Sequence, residues 1–359
     1  ATIGVKGGNG ANLMVVQAAA PALTGDLAVA LNGANAAVLA VNATGFPGAA
    51  GYTSTTINTT VGNDAITGRA GTQTSQLGTL DVGNALNKVT VTGDGAVRVV
   101  NDLAAAVRTI DASANKGGVN FNIANNTGNV TFTGGDGNDR INFGVTLNLQ
   151  DKVDGGAGRD ILGVTDQSFI IPGLQVSNVE VLELNTLNGT LNAALIAGVD
   201  EVRVTTTLNN GTVNGLTSNS TFVTNAAGNA TLNLVNAQVA GTNDTLNLKT
   251  GLTANGGVNV MAGGVENIVY TDNVTANTGR VTTVNFFDTD GVVDVTSLTL
   301  AGNAGNTVNF NGLVNTIRTV DGSASMGSTN VSIAAGNPTN GVTIKGGAQA
   351  SVLTGGDGK

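Results

Sequence analysis

Two copies of one nine-residue pattern, 155 − 134 = 21 positions apart, limit what this chain can fold into more than any other feature. Gly134-Gly135-Asp136-Gly137-Asn138-Asp139-Arg140-Ile141-Asn142 fits G-G-x-G-x-D-x-U-x, with U an apolar residue, at every specified position. Gly155-Gly156-Ala157-Gly158-Arg159-Asp160-Ile161-Leu162-Gly163 fits it again. The glycines allow a tight backbone loop with converging carbonyls, the Asp adds a carboxylate, and the apolar residue points into a narrow roll. Hard oxygen donors of this kind suit Ca²⁺. In an ideal roll, loops on one side recur about every 18 residues, and a longer far turn over Gly144 to Asp154 would absorb the excess. Asp139 and Asp160 are therefore the expected ligands, Asp136 and Asp154 assist, and the carbonyls of Gly135, Gly137, Gly156 and Gly158 complete the shell. The final Gly355-Gly356-Asp357-Gly358 reads as a truncated copy with Asp357 as a further candidate. Gly7 to Leu13 carries Asn12 in place of the Asp, while Gly62 to Ile66 and Thr242 to Leu246 keep only the Asp-x-apolar end; these read as turns.

Around this segment, short runs alternate apolar with Asn or Thr: Lys88 to Thr92, Val119 to Ile123, Val130 to Thr133, Glu201 to Val204, Thr231 to Leu234 and Val258 to Val260. Period-two patterning predicts strands with one buried face, and the Gly, Asn and Asp between them supply turns. Helical period is confined to Leu191 to Ala197 and Leu103 to Val107, a turn or two at most.

A longer repeat lies behind the strands. Asn101 to Ala114 aligns on Asn311 to Ala324 without a gap at a constant offset of 210 (311 − 101), and both copies lead through a strand to Thr-Gly-Gly-Asp-Gly, at Thr133 to Gly137 and Thr354 to Gly358. Duplicated strand modules ending in Gly-Asp turns mark an array in which each unit buries its face on a neighbour. A weaker echo pairs Asn178-Val179-Glu180 with Gly264-Val265-Glu266, where a Val-Glu step enters a strand; these glutamates read as solvated strand groups. The predicted fold class is all-β: calcium-binding parallel β-roll or β-helix-like solenoid segments combined with further β-rich, sandwich-like modules. The predicted organisation is a β-rich repeat module over 1–133, calcium-binding turns over 134–163, and a second β-rich module over 164–359.

Composition narrows the function. With no His and no Cys, zinc shells, disulfides, thiol nucleophiles and imidazole bases are absent, and neither a nucleophile-elbow Gly-x-Ser-x-Gly nor a P-loop occurs. A β-helix enzyme acting on polysaccharide would need sugar-stacking aromatics, yet these make up 3% of the chain and Tyr52 and Tyr270 are the only tyrosines. The carboxylates of Asp288-Thr289-Asp290 and Glu180/Glu183 are more simply solvated faces. A net charge of −9 repels nucleic acid and attracts divalent cations. No apolar run reaches the ~18 residues of a membrane span, and no signal peptide is evident at Ala1 to Val16. The absence of an initial Met and the stop within a motif at Lys359 read as a piece of something longer. Asn-x-Thr/Ser triplets at Asn42, Asn58, Asn188, Asn229 and Asn273 are expected by chance in so Asn- and Thr-rich a chain.

The two nonapeptides, the Asp111 to Ala114 and Asp321 to Ala324 approaches, the Val342 to Ala348 stretch and the Val-Glu strand entries together resemble the secreted RTX-type surface-layer (S-layer) proteins of Gram-negative bacteria. That resemblance implies type I secretion, an extracellular cell-surface location, and a Ca²⁺-held, self-assembling lattice. The expected partners are further copies of the chain, with cell-surface polysaccharide as a second, and the expected role is structural and non-enzymatic. An RTX-type adhesin segment gripping a host or neighbouring cell is the alternative.

Overall fold

The computed structural model describes residues 2–6, 13–14, 25–32, 35–40, 52–60, 75–83, 85–235, 243–252, 256–272, 281–287, 295–303, 305–311, 317–332 and 341–354. Every strand pairing with a defined register among them is parallel, and within each sheet a strand pairs with the next but one in sequence. The chain therefore coils as a parallel β-solenoid, each rung contributing one strand to each of two facing sheets. The solenoid expected at the Gly-rich segment is observed, and in the described residues its rungs continue through the flanking stretches where sandwich-like packing was expected. No α-helix occurs among the described residues. The helical period at Leu191 to Ala197 yields a single 3₁₀ turn, Ala193–Leu195, and Leu103 to Val107 forms none.

Alternation explains the coil. In Lys88–Gly93 the valines at 89 and 91 are buried, while Lys88 is exposed and Thr90 is half-buried. Because neighbours are parallel and in register, like stacks on like. Val89, Ile110, Phe132 and Val153 form one buried rank. Leu246, Ile268, Leu298 and Val320 form another. Each such side chain contributes roughly 1.5–3 kcal/mol through burial. A chain poor in large rings builds its core by repetition of these ranks.

The fold divides into two compact units, the first mainly residues 1–165 with 171–182 and the second mainly 199–359 with 183–194. In the first, one sheet runs from Thr2–Lys6 to Gln175–Ser177, through strands that include Lys88–Gly93, Thr109–Asn115, Thr131–Thr133 and Lys152–Asp154. In the second, an equivalent sheet runs from Thr190–Asn192 to Val352–Thr354. The 210-residue repeat places one copy in each. Thr109–Asn115 and Thr319–Ser325 share one burial pattern, and each pairs with its preceding strand through a register shift. In both, a serine bends the strand by donating its backbone N–H and its hydroxyl to the Asp two residues earlier: Ser113 to Asp111 at 3.2 and 2.7 Å, Ser323 to Asp321 at 3.0 and 2.6 Å.

Candidate functional site

The Gly-rich turns stack at one corner of the first unit. Thr131–Thr133 leads through Gly134 to Asp139 into Arg140–Gly144, and one rung on Lys152–Asp154 leads through Gly155 to Asp160 into Ile161–Asp166. The offset of 21 is the rung length, since Phe132 pairs with Val153 and Ile141 with Leu162 at that same spacing. The residues between Gly144 and Lys152 form the longer far turn expected from the spacing. Within the corner, Gly134 N–H donates to the Asp154 carbonyl at 2.7 Å, Ala157 N–H to Gly135 at 2.8 Å and Ile161 N–H to Asp139 at 2.8 Å.

Close stacking is what requires glycine at 134 and 155. A Cβ on Gly134 would collide with the Gly155 carbonyl, and one on Gly155 with the Asn178 carbonyl. The pattern's glycines thus serve backbone packing from rung to rung, whatever else they do.

The carboxylates form a column one rung apart. Asp139 is 2% exposed; one oxygen accepts the Val119 N–H and the other the Gly135 N–H, both at 2.7 Å. Asp160, equally buried, accepts the Asp139 N–H at 2.7 Å through Oδ1. Glu180 in turn accepts the Asp160 N–H at 2.8 Å. Each acid caps the backbone amide of the rung before it. The Asp160 Oδ2 atom is buried and has no hydrogen-bond partner. Burial raises the Asp139 carboxyl to about 6, against the pull of the Gly135 and Val119 amides. Asp160 rises to about 7, first through burial and then through the neighbouring charges of Asp139, Glu180 and Asp154, against the pull of the Asp139 amide.

Among the sequence-predicted residues, Asp139 and Asp160 are brought together and Asp154 lies close enough to raise Asp160. Asp154 is half-buried and accepts from Asn178 Nδ2 at 2.7 Å and from the Gly156 N–H at 3.2 Å. Asp136 is exposed, unlike the acids of the column, and its N–H donates to the Asn115 carbonyl at 2.9 Å. The Gly135 carbonyl is engaged by Ala157, and Gly156 and Gly158 adopt the left-handed φ values of 92° and 128° that their turn requires. Asp357 lies outside the described residues, as do Asp288-Thr289-Asp290 and the degenerate copies at Gly7 to Asn12 and Gly62 to Ile66. No three acidic side chains converge on one point among the described residues.

The corner offers oxygen donors of the class a hard cation takes, although among the described residues they do not converge as a shell of three acids. A buried carboxylate oxygen without a partner, beside three further acids, is where positive charge would relieve both desolvation and repulsion. Asp160 would hold such an ion through Oδ2, with Asp139, Asp154 and Glu180 as the surrounding negative charge. The ion would supply electrostatic cross-linking of adjacent rungs.

Sequence reasoning named Glu180 but read it as a solvated strand group, whereas it is half-buried and caps the Asp160 amide. Its signal is positional: 180 − 160 = 20 is close to the rung length of 21, so it occupies the same corner one rung on. Glu266 repeats the step in the second unit, accepting the Asp244 N–H at 2.7 Å, and there too the Asp Oδ2 is buried without a partner. The Val-Glu echo therefore marks a structural device and not a solvated face. Glu183 is no solvated group either: its side chain is 14% exposed and pairs with Arg203 at 3.3 Å, beside the tighter pair of Arg203 with the buried Glu201 at 2.6 Å. Asp151 was missed: it is 2% exposed and accepts the Val130 and Asn148 amides at 2.7 and 2.8 Å, pinning the far turn.

Comparison with protein-family models and with curated proteins finds no match. No helix among the described residues is long and apolar enough to cross a membrane.

Proposed function

We propose that this chain is a structural, non-enzymatic protein of the bacterial cell exterior, a calcium-dependent, self-assembling surface-layer or matrix component of the RTX type. The observation that carries the reading is the corner column Asp139, Asp160 and Glu180, with its buried and unpartnered Asp160 Oδ2 next to two stacked Gly-rich nonapeptides. Buried acids in such a column cost stability when ionised and uncompensated, and Ca²⁺ at the corner would turn the cost into a cross-link. A rigid coil of stacked strands whose surface is mostly short Asn, Thr and Ser side chains suits scaffolding. Export by type I secretion and association with cell-surface polysaccharide belong to the same reading.

The test is the unfolding temperature and sedimentation of the purified chain in millimolar Ca²⁺ and in chelator, for wild type and Asp160→Asn. Expected are a calcium-dependent rise in unfolding temperature that Asp160→Asn largely removes, and calcium-dependent assembly of the wild type. Stabilisation without assembly would favour an adhesin segment. Absence of any calcium response would sink the assignment of the corner.

A further inference from the structure

The sheet of the second unit that runs from Thr190–Asn192 to Val352–Thr354 differs from every other strand series in the molecule. Its eight strands, which include Gly211–Leu216, Gly228–Leu234, Gly256–Gly263 and Val281–Phe287, contain no Asp, Glu, Lys or Arg. The equivalent sheet of the first unit carries Lys88, Asp111, Lys152 and Asp154 within its strands. The facing strands of the second unit carry Arg203, Lys249, Asp272 and Asp321. A chain with net charge −9 thus keeps one whole sheet neutral.

On that sheet's outer side the side chains are ordered into rows. Asn229 Nδ2 donates to Asn210 Oδ1 at 2.7 Å, Asn259 to Asn229 at 2.6 Å and Asn285 to Asn259 at 2.6 Å. A second row joins Asn233 to Asn214 at 2.7 Å. Strand pairing from Gly228–Leu234 through Gly305–Asn311 has no register shift. Side-chain ladders of this kind are what hold long sheets flat. Within the row the Asn259 amide gives one N–H to Asn229 and accepts one from Asn285, which leaves its second N–H and second lone pair for a partner.

We infer that this face is a self-association surface on which a second copy of the same chain docks face to face. The inference rests on the self-assembling reading above and names its surface. Three properties select the occupant. A two-fold contact sets a patch against itself, so a charge at the axis meets its like and any other must find its complement within the same patch. The strands of this sheet carry no charge to be matched. Its rows repeat at the strand spacing of ~4.8 Å, a period that another copy of this solenoid is bound to share. Short Asn and Thr ranks on flat sheets are also the side chains that interdigitate in dry sheet-to-sheet contacts. Eight strands at ~4.8 Å and about five residues per strand give a contact near 570 Å² per copy, or roughly 1,100 Å² in all, just above the ~1,000 Å² expected of a specific interface.

Sedimentation velocity of the full chain over a concentration series in millimolar Ca²⁺ tests this, comparing wild type with Asn259→Lys in the row, Thr212→Lys outside it on the same face, and Thr299→Lys on an exposed position of the facing strand series. Thr212→Lys breaks none of the ladder hydrogen bonds and so guards against a folding defect in Asn259→Lys; circular dichroism confirms the fold of each. Both face variants are expected to weaken association at least tenfold while Thr299→Lys leaves it unchanged. If wild type assembles and both face variants assemble as well as it does, this inference falls and the self-assembly reading stands. If wild type stays monomeric throughout, both fall. Unchanged self-association in the face variants with lost retention on a neutral polysaccharide would overturn the self-docking assignment in favour of a glycan face.

Discussion

The two units coil by the same rule and spend their polar residues differently. In the first, polar chemistry is gathered at a buried corner, where Asp139, Asp160 and Glu180 cap successive rungs and glycines let the backbones touch. In the second, asparagine rows run over an outer sheet, and among the described residues the Asp244 to Glu266 step repeats the buried device. One scaffold can therefore hold its rungs together either by capped amides inside or by amide ladders outside. The first arrangement concentrates acids in low dielectric, where pH governs their charge; the second is electrically silent.

The largest contrast should come from glycine. Gly155→Ala drives a methyl into the Asn178 carbonyl, whereas at Gly257 in the second unit the nearest atom, the Thr283 carbonyl oxygen, is at a relaxed 3.6 Å. The expected loss is about 3 kcal/mol at 155 and close to zero at 257, read from urea unfolding of each variant; equal effects would mean that the corner is not closely stacked.

A smaller effect separates the units by pH. Asp139 and Asp160 have folded pKa values of about 6 and about 7, above the ordinary 3.8. Their contribution is therefore fully present below about pH 4 and is lost as pH rises through 6 and 7. Calcium-free protein should melt several degrees lower at pH 8 than at pH 5, and saturating Ca²⁺ should flatten the slope. Asp321 in the second unit behaves oppositely: its Ser323 and Lys345 partners hold it down at about 2, so what it contributes is lost only as pH falls from about 4 towards 2. A thermal melt series from pH 2 to 8 resolves both limbs, and a flat calcium-free profile between 5 and 8 would remove the column's electrostatic cost.

Tyr270→Phe deletes the 2.8 Å contact between its hydroxyl and Thr250 in the second unit's core, with an expected loss of about 1 kcal/mol and no change in calcium response. Smallest of all, Asn259→Ala breaks two half-exposed amide bonds and should cost under about 1 kcal/mol while leaving the corner's calcium response intact.

Much of this was legible in the residues. Period-two alternation located the strands at 88–92, 119–123, 201–204 and 258–260, because a solenoid buries one face of every strand. The 21-residue spacing was the rung itself. What escaped was chemistry between rungs. The role of Glu180 or Glu266 depends on which amide lies one rung back, and that is set by turn lengths that no local pattern reveals. The Asn-x-Thr/Ser triplets at Asn58, Asn188 and Asn229 place asparagines in cross-rung contacts. Their amides bond Thr92, Gln167 and Asn210, so the abundance of Asn and Thr serves contacts between rungs.

The persistence of parallel pairing in the second unit across rungs of unequal length has a consequence for how such a chain folds and varies. Glu201 pairs with Thr221, a step of 221 − 201 = 20, while Asn267 pairs with Ser297, a step of 297 − 267 = 30. Closing a loop half as long again costs only about 0.4 kcal/mol more, so turns can lengthen with almost no penalty to the next pairing. Each completed rung then acts as the template for its successor, and folding advances by addition to an existing edge instead of by a search over the whole chain. Insertions in the turns become a nearly free source of variation, while the spacing of the faces is preserved.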